Sequence, residues 1–341
     1  MASINYQKRL INLQNRKFDS DLRESALTKS FSTSSLPENI KYLVESMQPI
    51  DRKYNSKTLT AAENVQTHLE RDLDLHFGRV YKNQGSVTTG TNIKVHSDID
   101  LLTIINRYHF PQGISPNPYT ASDPYEDIKE LRKQAVQVLK RQYDIVDNTG
   151  EKNFFIINKN LDRKVDIVPC FWYESDKYKE TNDEHYKGIY LFDFKSETKH
   201  RDFPFATINN SNHKGDATND GFRRGVRLLK TLSADCDVEI KTLKSFQLTS
   251  IAYSIDNGLL MYQRGSELQI AQQLSNAMSR MIEDPTYRQS ILSPNGTEFP
   301  LLSSTTVPDL KRLKEDLDQL ILDSSEDVGR SLSVRTNILS Y

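Results

Sequence analysis

An Asp-hydrophobic-Asp triplet at the head of an apolar run sets the strongest limit on how this chain can fold. Residues 98–105 read Asp-Ile-Asp-Leu-Leu-Thr-Ile-Ile. Read as a strand, the run sends Asp98 and Asp100 to one face by its period of two, while Ile99, Leu101 and Leu102 enter a core and the strand continues through Ile104 and Ile105. Two adjacent carboxylates repel each other. A hard divalent cation such as magnesium relieves that repulsion and commonly holds substrate phosphates as well. Just upstream, Gly85-Ser86 makes a small-residue turn at which a backbone can approach a phosphate closely. An isolated Asp-x-Asp is more often a solvated strand face than a metal site, so the surrounding pattern has to carry the argument.

A third acid strengthens it. Residues 153–158 and 164–171 read as two strands joined in a hairpin near Leu161-Asp162. Asp166 stands alone among Val165, Ile167 and Val168. Burying an unpaired carboxylate there is costly. A metal accounts for it, as does an edge strand that turns Asp166 to water. With Asp98 and Asp100, it completes the acid set of a two-metal site.

Composition narrows the alternatives. The chain has 341 residues, a net charge of −1 and a pI near 6.7, enough length for a large core in one or two domains. Near-neutral charge argues against a nucleic-acid coat protein, and no stable DNA binding is expected. Cys170 and Cys236 are the only cysteines and lack metal-type spacing, so reduced thiols and a cytoplasmic location are expected. No apolar run reaches membrane-spanning length, and no signal peptide is evident.

Local patterns place the remaining elements. Residues 1–55 are polar and helix-prone, with Phe18, Leu22, Ile40, Leu43 and Val44 as short packing faces and Ser30 to Ser35 as a loop. Thr58 or Thr60 is expected to cap a helix that buries Ala62, Val65, Leu69 and Leu73 and runs to about Phe77. Residues 107–123 read as a flap or insertion, in which Tyr108 or Tyr119 stacks on a base or packs locally. Asp123-Pro124-Tyr125-Glu126 reads as a helix start. Further on, Phe222, Val226 and Leu229 form an apolar stripe beside a basic stripe of Arg223, Arg227 and Lys230. A last helix follows Pro308-Asp309, and the tail from Ser324 reads as polar and mobile.

Gly-Ser, eleven intervening residues, Asp-hydrophobic-Asp and a later strand Asp together resemble the signature of the DNA polymerase β-like nucleotidyltransferases. From about residue 57 to 285 the chain is similar to the CD-NTases, the group of cyclic GMP–AMP synthase and the bacterial dinucleotide cyclases, and to oligoadenylate synthetase. The resemblance implies an α+β, two-lobed polymerase β-like fold: a mixed sheet with a long N-terminal spine helix, plus a C-terminal helical lobe. It implies domains at 1–205 (N-terminal helices and catalytic core) and 206–341 (helical lobe). It further implies that Asp98, Asp100 and Asp166 hold two Mg²⁺ or Mn²⁺ ions, and that Asp166 takes the proton of the attacking hydroxyl. Gln84, Gly85 and Ser86 would hold the triphosphate of the NTP substrate, ATP among those used. Lys230 matches the family lysine, and Ser245 the family serine, that reach the same phosphates. The implied function is synthesis of a cyclic di- or trinucleotide second messenger in bacterial antiphage (CBASS-type) signalling by a monomer, with regulatory or effector proteins as partners and no membrane. Three alternatives stay open: transfer to an RNA 3′ end, tRNA or protein; linear oligonucleotide synthesis; and a non-catalytic nucleotide-binding protein.

Overall fold

The computed structural model of the chain describes residues 4–18, 36–113 and 122–339, the last nine by backbone alone. Leu22, the Ser30 to Ser35 loop and Tyr119 lie outside these residues. In chain order the elements are α1 (Tyr6–Lys17), α2 (Glu38–Met47), α3 (Arg52–Asp72), β1 (Arg79–Gln84), β2 (Ile99–Pro111), α4 (Pro124–Lys140), β3 (Ile145–Asp147), β4 (Phe154–Asn158), β5 (Arg163–Glu174), α5 (Asp176–Thr181), β6 (Lys187–Asp193), β7 (Thr198–Asp202), α6 (Pro204–Ala217), α7 (Gly221–Asp235), α8 (Ser245–Tyr253), α9 (Glu267–Glu283), α10 (Pro285–Ser290) and α11 (Val307–Leu339). They form a mixed α+β fold of N-terminal helices, a central mixed sheet and C-terminal helices.

The chain divides into two units. One comprises Asp51–Gly90 and His96–Asn210; the other comprises Met1–Ile50, Thr91–Val95 and Ser211–Tyr341. The first holds a seven-stranded sheet in the order β1-β2-β5-β4-β3, with β6 paired to β5 and β7 to β6. β2 and β5 run parallel and the other pairs antiparallel. Alternation sorts their side chains. Ile99, Leu101, Ile105, Val165, Ile167 and Phe171 pack with Ala61, Val65 and Leu69 of α3 and Ile128, Leu131 and Leu139 of α4. Leu102, Ile104, Val168, Cys170 and Trp172 pack on the opposite face with Ile189 of β6. Asp100 and Asp166 share the parity of this second set.

The spine helix begins earlier than the sequence suggests. Asp51 caps α3, its carboxylate accepting from the Lys53 N–H at 2.9 Å, and the helix ends at Asp72. Thr58 is buried in the helix interior, where its hydroxyl accepts from Nε of Arg163 at 3.0 Å. That guanidinium also donates to the Asp162 carbonyl at 2.7 Å. A cap-type residue has been recruited to hold the buried arginine that opens β5.

The second unit is helical. Leu10 and Leu13 of α1 and Tyr42, Leu43 and Met47 of α2 join Phe222, Val226, Leu229, Leu274, Met278, Leu313 and Leu317 in one core. α11 carries on past Ser324, where the sequence suggests a mobile tail, to Leu339. The C-terminus of α2 presents carbonyls with partial negative charge, and two buried basic side chains meet them. Lys17 donates to the carbonyls of Glu45 and, at 3.0 Å, Gln48, and Arg227 donates to that of Met47 at 2.6 Å. Burial pushes Lys17 down to about 7, and the nearby arginines push the same way. An unfolded lysine keeps its proton to about pH 10.4. Between these values the unfolded state binds more protons, so this contribution to stability grows as pH rises from about 7 and is lost as pH falls back through it. Urea midpoints of the wild type should therefore rise relative to those of Lys17→Met between pH 7 and pH 9. A constant difference between the two proteins would show that Lys17 does not titrate in that window.

Candidate active site

The sheet register assembles the acids. Asp100 of β2 lies beside Asp166 of the parallel strand β5, and beside Gln84 of β1 on its other flank. Asp98 stands immediately before β2, with its side chain 55% exposed, whereas that of Asp166 is 6% exposed. Both oxygens of Asp166 are engaged: Oδ1 accepts from Nδ2 of Asn153 at 2.6 Å and Oδ2 from Nζ of Lys164 at 2.7 Å. The same ammonium reaches Oδ2 of Asp98 at 3.3 Å.

The electrostatics follow from this crowding. Burial, together with the charges of Asp166 and Asp98, pushes Asp100 up to about 7. Asp202, in β7, adds to the same negative field. Burial raises Asp166 too, against the opposing pull of Lys164. Burial works against the charge of Lys164, but its bonds to Asp166 and Asp98 outweigh that and raise its pKa. A carboxyl pushed up by burial and by two acids beside it marks a buried concentration of negative charge, which suits a divalent cation.

The turn before β2 supplies a second component. Gly85 sits at φ +114°, a region closed to most L-residues, and starts the bend that carries the chain out of β1. The Gly85 carbonyl accepts from the N–H of Thr88 at 3.2 Å and its hydroxyl at 2.7 Å. Ser86 lies inside this wrapped turn, next to Gln84 and Gly85, and the Ser86 carbonyl accepts from the Thr89 hydroxyl at 3.3 Å.

Lys230 and Ser245 belong to the helical unit. Lys230 is buried in α7, donates to the Thr91 carbonyl at 3.3 Å, and is pushed by burial down to about 8. Ser245 is the exposed first residue of α8, and the cap position falls on Lys244. Of the flap read at 107–123, residues 107–111 extend β2 instead. Tyr108 is buried there, donating to Asp127 at 2.5 Å.

Asn153 and Lys164 are the participants that pattern reading passed over. Only Lys164 left a signal, since two residues before Asp166 on a strand means the same face. The donor set fits a hard cation: three carboxylates with surplus charge and oxygen ligands throughout. Among the described residues no group of three or more His, Cys, Asp or Glu side chains is placed to hold a metal ion as it stands, and the Lys164 ammonium bridges Asp98 and Asp166.

No family model matches the sequence. Among curated relatives, a c-di-GMP synthase from a Lachnospiraceae bacterium is 32% identical over 242 residues, 63% of this chain and 69% of its own length. A c-di-GMP synthase from Capnocytophaga granulosa is 29% identical over 348 residues, covering 94% of this chain and 97% of its own. The solved structure of a STING-associated CdnE c-di-GMP synthase from Capnocytophaga granulosa matches with a TM-score of 0.81 at 29% identity, over 95% of this chain and 99% of that one. The fold is that of the polymerase β-like nucleotidyltransferases, and the chain is an enzyme of that class. It belongs to the CD-NTase family, among the CdnE-type cyclic dinucleotide synthases of bacterial antiphage signalling. No described helix is long and apolar enough to cross a membrane.

Proposed function

We propose that this enzyme joins two molecules of GTP into cyclic di-GMP. The observation that carries the reading is the near-full-length likeness to the Capnocytophaga granulosa c-di-GMP synthase, in fold and at 29% identity. Cyclisation takes two successive attacks of a ribose hydroxyl on an α-phosphate, each releasing pyrophosphate. Asp98, Asp100 and Asp166 would hold two Mg²⁺ or Mn²⁺ ions. Bound there, the ions would lower the pKa of the attacking hydroxyl and stabilise charge on the attacking and leaving oxygens.

The chain's own groups do the rest. Asp166, fixed by Asn153, orients toward the acceptor hydroxyl and takes its proton. Gln84, Gly85 and Ser86 cradle the donor triphosphate, the positive φ of Gly85 bringing the backbone close to it. The family resemblance assigns Lys230 and Ser245 to the same phosphates, as a cation and a helix N-terminus. On this reading the enzyme works in the cytoplasm as a monomer, and its protein partner is the effector that reads the product.

The test is incubation of the pure protein with labelled ATP, GTP, CTP and UTP, singly and in pairs, with Mg²⁺ or Mn²⁺, followed by phosphatase and chromatography. A phosphatase-resistant product from GTP alone is expected. A product that requires a second nucleotide would displace cyclic di-GMP in favour of a mixed dinucleotide. A phosphatase-sensitive ladder would mean linear oligomers.

A further inference from the structure

The acidic site carries a cation of its own. Lys164 precedes Asp166 by two residues on β5, so both side chains leave the same face of the sheet. Its ammonium lies 2.7 Å from Oδ2 of Asp166, 3.3 Å from Oδ2 of Asp98 and 4.7 Å from the centre of the Phe155 ring. Three segments therefore grip it: β5, the approach to β2, and β4. Asp98 lies outside the backbone register that fixes Asp100 beside Asp166, so Lys164 supplies a link between the two outer acids that the sheet leaves out. The lysine side chain is 32% exposed, whereas that of Asp166 is 6% exposed.

A divalent cation bound by these same oxygens would sit within a few ångströms of the ammonium, and like charges at that range repel strongly. We propose that Lys164 is a displaceable counter-ion, which holds Asp98 and Asp166 in place until a divalent cation arrives and then yields their oxygens to it. The inference rests on the reading of Asp98 and Asp166 as metal-binding acids. It makes the resting site ordered but reluctant to take a bare ion. A metal escorted by a triphosphate fares better, because the phosphate oxygens offer the released ammonium a new partner.

The test uses the full-length, nucleotide-free protein and Mn²⁺, whose free-ion EPR signal disappears on binding. Lys164→Met should bind Mn²⁺ about tenfold more tightly than the wild type, and Lys164→Arg should bind like the wild type. Lys164→Met should also melt at a lower temperature in EDTA and gain more from Mn²⁺ than the wild type does. Lys164→Gln provides the same comparison if Lys164→Met does not fold. Equal or weaker binding by a folded charge-neutral variant overturns the counter-ion role. The acids keep their assignment in that case if the double variant Asp98→Asn/Asp166→Asn loses Mn²⁺. Binding that survives in this double variant removes the metal site and the counter-ion together.

Discussion

Asp166→Asn is expected to lower dinucleotide synthesis by about 10³-fold or more without unfolding the protein. The substitution keeps the side chain's shape and its acceptor for Asn153 but removes the charge. A metal-held carboxylate stabilises charge in the transition state by several kcal/mol, and about 4 kcal/mol corresponds to about 10³ in rate. Stability should move the other way. Burial raises the pKa of Asp166, and its charge is one of the reasons that Asp100 is pushed up to about 7. Removing that charge relieves the repulsion, so the melting temperature in EDTA should hold or rise. Product formation by chromatography and thermal melts on the same preparation check both halves. Activity within tenfold of the wild type would take Asp166 out of the reacting site.

The largest structural effect is expected at Gly221, far along the sequence from the acids. A Cβ built there would lie 1.7 Å from the carbonyl oxygen of Leu260, 2.9 Å from its carbonyl carbon and 3.2 Å from the backbone nitrogen of Tyr262. These are backbone atoms, and the segment is pinned. The Tyr262 N–H donates to the Thr218 carbonyl at 2.9 Å, and Asn219 Nδ2 donates to the Tyr262 carbonyl at 2.8 Å. Overpacking a core commonly costs about 1–3 kcal/mol, and a clash with fixed backbone belongs at or beyond the upper end. Gly221→Ala should therefore lose about 3 kcal/mol or more in urea denaturation, or fail to accumulate as soluble protein. An unchanged midpoint would mean that the 257–262 segment is free to withdraw.

What the sequence disclosed about the site came from chemistry placed against its setting. Asp98, Asp100 and Asp166 stood out because carboxylates interrupt apolar strands, and period two put Asp98 and Asp100 on one face. The hairpin that carries Asp166 was legible from its two apolar runs and the connection between them. The parallel pairing of β2 with β5, which makes Asp100 and Asp166 neighbours, was not, because strand order depends on long-range contacts that local alternation does not encode. Lys164 could have been found from its spacing of two from Asp166, but Asn153 could not, because only the pairing of β4 with β5 brings it to Asp166. Thr58 misled for a related reason: it has the chemistry of a cap, but the helix needed it inside to meet Arg163. Gly221 gave no local sign at all, since the backbone that crowds it lies some forty residues away in the chain.

Thr91–Val95 bears on how such an enzyme can be recombined. These five residues leave the sheet unit after the Gly85–Gly90 turn, join the helical unit, and return just before Asp98. Their anchors there are Lys230, which donates to the Thr91 carbonyl, and the Arg16 carbonyl, which accepts from the Val95 N–H at 2.8 Å. No single crossover point in the gene inherits either unit whole. A chimera joined near residue 210 would set one parent's Thr91 against the other's Lys230. New specificities in enzymes built this way are thus expected to arise by substitutions within one continuous lineage rather than by exchange of lobes between relatives.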